Sequence, residues 1–271
     1  MGAATKVLFI TQEITPYLPE SEISTICRQL PQSVQDGGKE IRTFMPKFGC
    51  INERRNQLHE VQRLSGMNLI IDDTDHPLII KVASIQSARM QVYFIDNDDY
   101  FHHRQTVADE NGVEYADNGE RTIFFARGVL ETVKKLRWTP DVIHCHGWMT
   151  SLVPLYIKKA YNDDPFFKNS KIVYSIYKDG FSTQFKEGYD KMLLIDGVED
   201  SDLASIQNKP VDYVSLSKLA LDFSDAAIQG SETINSEIKE YAASKLNDKF
   251  LSYQTPETFA KAYSELYDSV M

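Results

Sequence analysis

Short apolar runs alternate with stretches of helical spacing along most of this chain. The run KVLFIT at 6–11 predicts a buried first strand. The stretch 21–36 predicts a helix, which Gly37-Gly38 ends in the usual C-terminal manner, and EIRTFMP at 40–46 predicts a second strand. A β-α-β beginning of this kind is typical of a parallel sheet.

The same alternation continues to the end of the chain. Further strands are predicted over 78–85, 90–95, 141–144, 171–176 and 226–229. Further helices are predicted over 119–136, 152–161, 212–224, 231–243 and 256–271, the last with Thr255 as N-cap and Pro256 in its first position. Residues 97–116 lack a period and predict a loop, 188–206 are ambiguous, and 248–255 predict a linker. The pattern predicts an α/β doubly wound fold.

Composition excludes several classes of protein. The chain has 271 residues, 42% of them hydrophobic, a net charge of −10 and no basic run, so neither a nucleic-acid partner nor a basic patch for a membrane surface is expected. Its three cysteines, Cys27, Cys50 and Cys145, are widely spaced and predict no disulfide framework. Apolar runs are too short for a signal peptide or membrane span, which favours a soluble cytoplasmic protein.

The stretch WTPDVIHCHGWMT at 138–150 holds the strongest candidate site. A short buried strand at 141–144 is followed by a polar turn, and ligands in open parallel sheets bind outside the carboxyl ends of strands. His144 and His146 lie there. One alternative is that both histidines only pack or bond backbone; another is a metal site completed by His102 and His103, which the sequence favours little.

Four segments in order resemble the N-terminal domain of bacterial glycogen and starch synthases, glycosyltransferase family 5. KVLFITQEITP at 6–16 is similar to the opening strand and its S-S-E-x-x-P turn, and Asp117-Asn118-x-Glu120-Arg121 is similar to D-N-x-x-R-F. PDVIHCHGWMT at 140–150 is similar to P-D-V-[IV]-H-A-H-D-W-Q-[TA]. Residues 215–231 resemble N-x-x-K…A-D…V-S, with Lys218, Asp225 and Ser231 in register.

This resemblance implies a Rossmann-like domain, the N-terminal half of a GT-B glycosyltransferase, over 1–245. A linker and closing helix follow over 246–271, and this helix is expected to pack back on the domain through one face, Phe259, Ala262, Tyr263 and Leu266. The second domain of full synthases is expected to be absent. It implies a catalytic role for His146 beside the transferred sugar. It implies that Asp117, Asn118, Arg121 and Glu13 contact substrate, although Asp117 or Asn118 can instead cap a helix and Glu13 can cap a turn. Neither a cofactor nor a metal is implied.

The sequence also departs from the family pattern. Where the family has K-x-G-G-L-G-D, a loop that meets the nucleotide-sugar phosphates, this chain has PESEIST at 19–25. Pro19 replaces the lysine, Ser21 and Glu22 replace the glycines, and glutamates there repel phosphate. Gly147 replaces an aspartate, and Tyr177-Lys178 replaces the H-N of T-I-H-N.

These departures favour a degenerate synthase domain that binds α-glucan or a protein partner and is inactive as an isolated chain. The alternative is an ADP-glucose-dependent α-1,4-glucosyltransferase for glycogen biosynthesis, with a second chain supplying the other half. A third interpretation is an unrelated small-molecule binder on the same scaffold. A homodimer through the face left open is a further expectation. Aromatic side chains can supply stacking platforms for sugar rings: Tyr93, Tyr100, Phe101 and Tyr115.

Overall fold

A computed structural model describes residues 4–271; the first three residues of the predicted domain lie outside the described part. The strands are β1 (Lys6–Thr11), β2 (Glu40–Pro46), β3 (His59–Glu60), β4 (Met67–Ile71), β5 (Thr74–Ile85), β6 (Met90–Asp96), β7 (Val142–His146), β8 (Lys171–Ile176), β9 (Ala226–Gln229) and β10 (Phe250–Leu251). The helices are α1 (Glu22–Asp36), α2 (Asp98–Phe101), α3 (Asn118–Lys135), α4 (Leu152–Lys158), α5 (Tyr189–Met192), α6 (Tyr213–Asp222), α7 (Ser236–Leu246) and α8 (Phe259–Val270).

The strands form one sheet in the order β10-β9-β8-β7-β1-β2-β6-β5-β3, with β4 paired to β5. Every pairing from β10 to β6 is parallel, whereas β5 joins β6 antiparallel and carries β3 and β4. The predicted α/β class and mostly parallel doubly wound sheet are confirmed. No helix within 4–271 is long and apolar enough to cross a bilayer.

Apolar side chains cover both faces of the sheet. The larger core packs α3, α4 and α6 against one face, with Phe124, Leu155 and Leu219 all fully buried. The second core packs α1 and α8 against the other face through Phe9, Val34 and Tyr267. Because both faces are covered, the central strand β1 has a continuous apolar run, VLFI, in the sequence.

The prediction that the C-terminal helix packs back on the domain is confirmed. Phe259, Tyr263, Leu266 and Tyr267 of α8 are buried, and Ala262 packs at the edge of the same core. The predicted helix start was wrong. The backbone carbonyl of Thr255 accepts hydrogen bonds from the N–H groups of residues 258 and 259, so Thr255 and Pro256 form a turn that precedes the helix.

Several other boundaries differ from the prediction. The helix predicted over 231–243 begins at Ser236, because the side-chain amide of Gln229 holds the carbonyls of Ser231 and Glu232, and Asn235 caps the helix. The predicted linker 248–255 contains β10, which pairs with β9. The predicted loop 97–116 contains the single turn of α2, and α4 ends three residues before the predicted 161.

Candidate functional site

The candidate site is built where β1, β7 and β8 end. Thr11 of β1 pairs with His146 of β7, which pairs in turn with Ser175 of β8. Since the strands are parallel, their carboxyl ends share one edge of the sheet, where the sequence placed the site. β7 covers 142–146 instead of the predicted 141–144, because it is paired on both sides as far as His146. Both histidines therefore lie inside the strand.

The two histidines form a fully buried pair whose rings are tilted by 35°. Alternating strand positions place them on one face, and their ring centroids are 3.7 Å apart. His144 Nδ1 lies 2.6 Å from the Tyr267 hydroxyl and its Nε2 lies 2.7 Å from Ser175 Oγ. His146 Nδ1 lies 2.8 Å from the Tyr177 hydroxyl. His146 Nε2 has no hydrogen-bond partner among residues 4–271.

Burial keeps both rings uncharged at neutral pH. It lowers the pKa of His146 to about 3, and burial together with the neighbouring His146 holds the pKa of His144 well below its usual range. A neutral imidazole can donate or accept a hydrogen bond but offers no positive charge. The pair is therefore equipped to orient a polar group rather than to neutralise an anion.

Carboxylates dominate the start of α1, which begins beside the end of β1. Ser21 caps the helix by accepting from the Ser24 N–H, and its hydroxyl donates to Glu13 at 2.5 Å. Glu22 accepts from the Ser231 hydroxyl, also at 2.5 Å. A cleft of about 490 Å³ opens here, with Glu20 and Glu22 among its lining residues. Negative side chains thus occupy the helix end that would otherwise attract an anion.

Asp117, Asn118 and Arg121, which the resemblance gave as substrate contacts, lie together at the start of α3 and bond the protein's own chain. Arg121 donates to Asn118 Oδ1 and to the carbonyl of Thr106, both at 2.7 Å. Asn118 Nδ2 donates to a carbonyl of the same loop at position 107. Asp117 pairs with Arg104. Arg121 and Asn118 are buried, whereas Asp117 is partly exposed.

The loop 104–117, which this cluster holds, is also tied to the loop after β8 through Glu114. Both oxygens of Glu114 accept from the backbone and hydroxyl groups of Ser182 and Thr183. Beside them opens a cleft of about 740 Å³ between residues 184–191 and 208–211. Its rim carries exposed polar side chains: Gln184, Lys186, Glu187, Lys191, Asn208 and Lys209.

The predicted aromatic platforms are mostly core residues. Tyr100 and Phe101 are buried against α3, and Tyr93 stacks on Phe44. Tyr115 is half-buried, with the guanidinium of Arg121 5.2 Å from its ring centroid. The predicted stacking role is therefore open, on geometry, to Tyr115 alone among these four.

The metal interpretation gains no support within the described residues. His102 and His103 contact each other, but residues 4–271 contain no group of three or more potential ligands placed to hold a metal ion. The three cysteines are free. Asp225 has a structural role, since it accepts from Lys158 Nζ and from the N–H of Ile172 at 2.7 and 2.8 Å.

The sequence reasoning missed two residues of the site, Tyr177 and Tyr267. Tyr177 stands where the family motif has a histidine, so its position signalled a role. Tyr267 lies 123 residues from His144 along the chain and carries no local motif. Its position on the buried face of the C-terminal helix was the available signal.

Comparison with known proteins agrees with these observations. The family model described as starch synthase catalytic domain matches residues 6–252. A glycogen synthase of Chlorobium limicola is 34% identical over 223 residues, which cover 75% of this chain and 46% of that protein. A glycogen synthase of Chlorobium luteolum is 39% identical over 173 residues, 64% of this chain and 35% of that protein. The chain thus spans about half the length of the first of these relatives.

A solved structure is similar in fold. The catalytic domain of starch synthase IV from Arabidopsis thaliana, bound to ADP and acarbose, superposes with a TM-score of 0.73 at 19% sequence identity. The match covers 93% of this chain and 52% of that one. This agreement extends the family resemblance from local motifs to the arrangement of the whole sheet.

Proposed function

Since this chain belongs to the starch synthase catalytic-domain family, we propose that it binds α-glucan and does not transfer glucose from ADP-glucose by itself. The observation that carries the proposal is the pair of carboxylates, Glu13 and Glu22, held at the start of α1 by serine hydroxyls. Departure of a nucleotide diphosphate needs positive groups at this point, and removing one well-placed donor costs about 10²–10³ in rate. A cytoplasmic location is part of the same proposal.

The glucan is proposed to occupy the cleft of 184–191 and 208–211. Sugar hydroxyls are recognised by polar side chains that both donate and accept, and the rim of this cleft carries lysine, glutamate and amide groups together. The Asp117–Asn118–Arg121 cluster supports the neighbouring loop, so in this proposal it acts by shaping the site. In the same proposal, the carboxylate of Glu13 at the start of α1 repels the phosphates of a nucleotide sugar.

Two measurements test this proposal. Calorimetry should detect maltoheptaose binding and no heat from ADP-glucose, and a radiolabelled ADP-glucose assay should show no transfer to glycogen above background. Glu187→Ala, at an exposed cleft position, is expected to weaken maltoheptaose binding about tenfold, the value of a hydrogen bond to a charged group. The matched control is Glu20→Ala, an exposed glutamate of the other cleft, which should leave binding unchanged.

Some results would contradict the proposal. Transfer above background that disappears in His146→Ala would show an active enzyme. Transfer that begins only when a chain similar to the other half of the relatives is added would support the second candidate function, a subunit of a split glucosyltransferase. That candidate is favoured by the match of residues 6–252 to the starch synthase catalytic domain. A protein partner or a homodimer remains a separate proposal, tested by light scattering.

A further inference from the structure

The carboxylate of Glu114 holds the chain at the point where one wall of the proposed glucan cleft begins. One of its oxygens accepts from the backbone N–H of Ser182 at 2.8 Å and from the Ser182 hydroxyl at 3.2 Å. The other accepts from the backbone N–H of Thr183 at 2.8 Å and from the Thr183 hydroxyl at 2.5 Å. Four donors therefore meet one carboxylate immediately before Gln184, which lines the cleft.

The backbone around Glu114 is itself held to the start of α3. The side-chain amide of Asn118 and the N–H of Tyr115 both donate to the carbonyl of Val107, at 2.8 and 3.2 Å. The next residue, Ala108, pairs with Glu114 in an antiparallel bridge. Because its backbone is fixed in this way, Glu114 can restrain the segment that it contacts.

The segment 182–184 depends on this restraint more than its neighbours do. Phe181 and Phe185 on either side are buried and stack with ring centroids 4.5 Å apart, and the N–H of Phe185 donates to the carbonyl of Val211 on the facing wall. Residues 182–184 between them are exposed. Packing therefore fixes the two ends of this stretch, whereas hydrogen bonds to Glu114 fix its middle.

We propose that Glu114 is a positioning residue of the glucan cleft, which holds 182–184 in the conformation that receives the sugar. The restraint is independent of the proposed function, whereas its use for glucan rests on that function. A ligand that needs one conformation binds more weakly in proportion to the time that the segment spends in the others. If the segment without this carboxylate is competent for about a tenth to a fifth of the time, the affinity falls about 5–10-fold.

Three variants test this role. Glu114→Gln keeps the size of the side chain but replaces one acceptor oxygen by an amide group that can only donate. The matched control is Glu110→Gln, the same change of charge at an exposed glutamate of the same loop. Thr183→Ala removes one of the donors that Glu114 contacts.

The first measurement is amide hydrogen exchange of the full chain without sugar. Exchange at Ser182 and Thr183 should be at least about tenfold faster in Glu114→Gln than in the native chain or in Glu110→Gln. The urea midpoint and the exchange of the central strands should stay unchanged, because the restraint is local. A merely structural role would lower both.

The second measurement is calorimetry with maltoheptaose. Its affinity should fall about 5–10-fold in Glu114→Gln and stay unchanged in Glu110→Gln. The loss in Thr183→Ala should not add to the loss in Glu114→Gln when the two changes are combined, because both break the same contact. Unchanged exchange at Ser182 and Thr183, or fully additive losses in the double variant, would overturn the proposal.

The two measurements also separate this proposal from the proposed function. If the native chain binds no maltoheptaose, the proposed function fails and the role of Glu114 towards glucan fails with it, while faster exchange in Glu114→Gln still establishes the restraint. If the native chain and Glu114→Gln bind maltoheptaose equally well, only the role of Glu114 is contradicted.

Discussion

Acidification should destabilise this protein through its buried histidine pair. The pKa of His146 is about 3 in the folded chain, against an ordinary value near 6.5 in the unfolded chain. Between these values the unfolded chain binds a proton that the folded chain does not. Burial of His146 therefore has no protonation cost above about pH 6.5. The free energy of unfolding falls as the pH is lowered from there towards 3.

The magnitude follows from the width of this window. Each pH unit within it changes the free energy of unfolding by about 1.4 kcal/mol, so lowering the pH from 7 to 5 removes about 2 kcal/mol through His146. His144, whose pKa is also lowered by burial, adds a loss in the same direction. Carboxylates whose pKa is lowered in the fold, such as those of Glu53, Glu114 and Asp212, lose their contribution only at lower pH.

Urea unfolding followed by circular dichroism at pH 7 and pH 5 measures this loss. With about 3 kcal/mol per molar urea for a chain of this size, the midpoint should fall by about 0.7 M or more. His146→Gln removes one titrating ring and should reduce the difference between the two pH values by about 2 kcal/mol. Equal midpoints at pH 7 and 5, or the same pH dependence in His146→Gln, would refute the reasoning.

Two further predictions concern packing. Gly147→Ala should lower the free energy of unfolding, measured in urea, by about 1–3 kcal/mol. Gly147 has a φ of 83°, and a Cβ at this position would lie 3.0 Å from Gln12 Oε1. A change below about 0.5 kcal/mol would contradict this reasoning. Deletion of 255–271 removes four buried side chains of α8, each of which stabilises the fold by about 1.5–3 kcal/mol. The melting temperature should therefore fall by at least about 10 °C. A soluble truncated chain of equal stability would show that this packing is unimportant.

The sequence by itself determined the order of most of the longer strands and helices, and several of their bounds. Strands 6–11, 40–46, 171–176 and 226–229 agree with the structure to the residue. In 6–11 and 171–176 this is because a strand buried on both faces has a nearly continuous run of apolar residues between turns. The start of α1 was also local information, since Ser21 bonds a backbone N–H three residues away. The motifs that identified the family are likewise short and contiguous.

Tertiary structure decided the features that depend on residues far apart in the chain. β10 exists because Phe250 meets Ala227 at the sheet edge, and α7 starts late because the Gln229 side chain holds the backbone before it. Neither effect leaves a periodic signal. The same holds for the candidate glucan residues: the motif placed Asn118 and Arg121 together, but only the fold shows that they bond a neighbouring loop.

The chemistry of the histidines was decided in the same way. The spacing of His144 and His146 put both rings on one face of β7, and that much was readable in the sequence. Their burial and lowered pKa values arise only in the folded chain, and the contact of His144 with Tyr267 requires α8 to pack over the strand. Desolvation and hydrogen bonding depend on which groups surround a side chain in space. For His144 one of those groups is the hydroxyl of Tyr267, which lies 123 residues further along the chain.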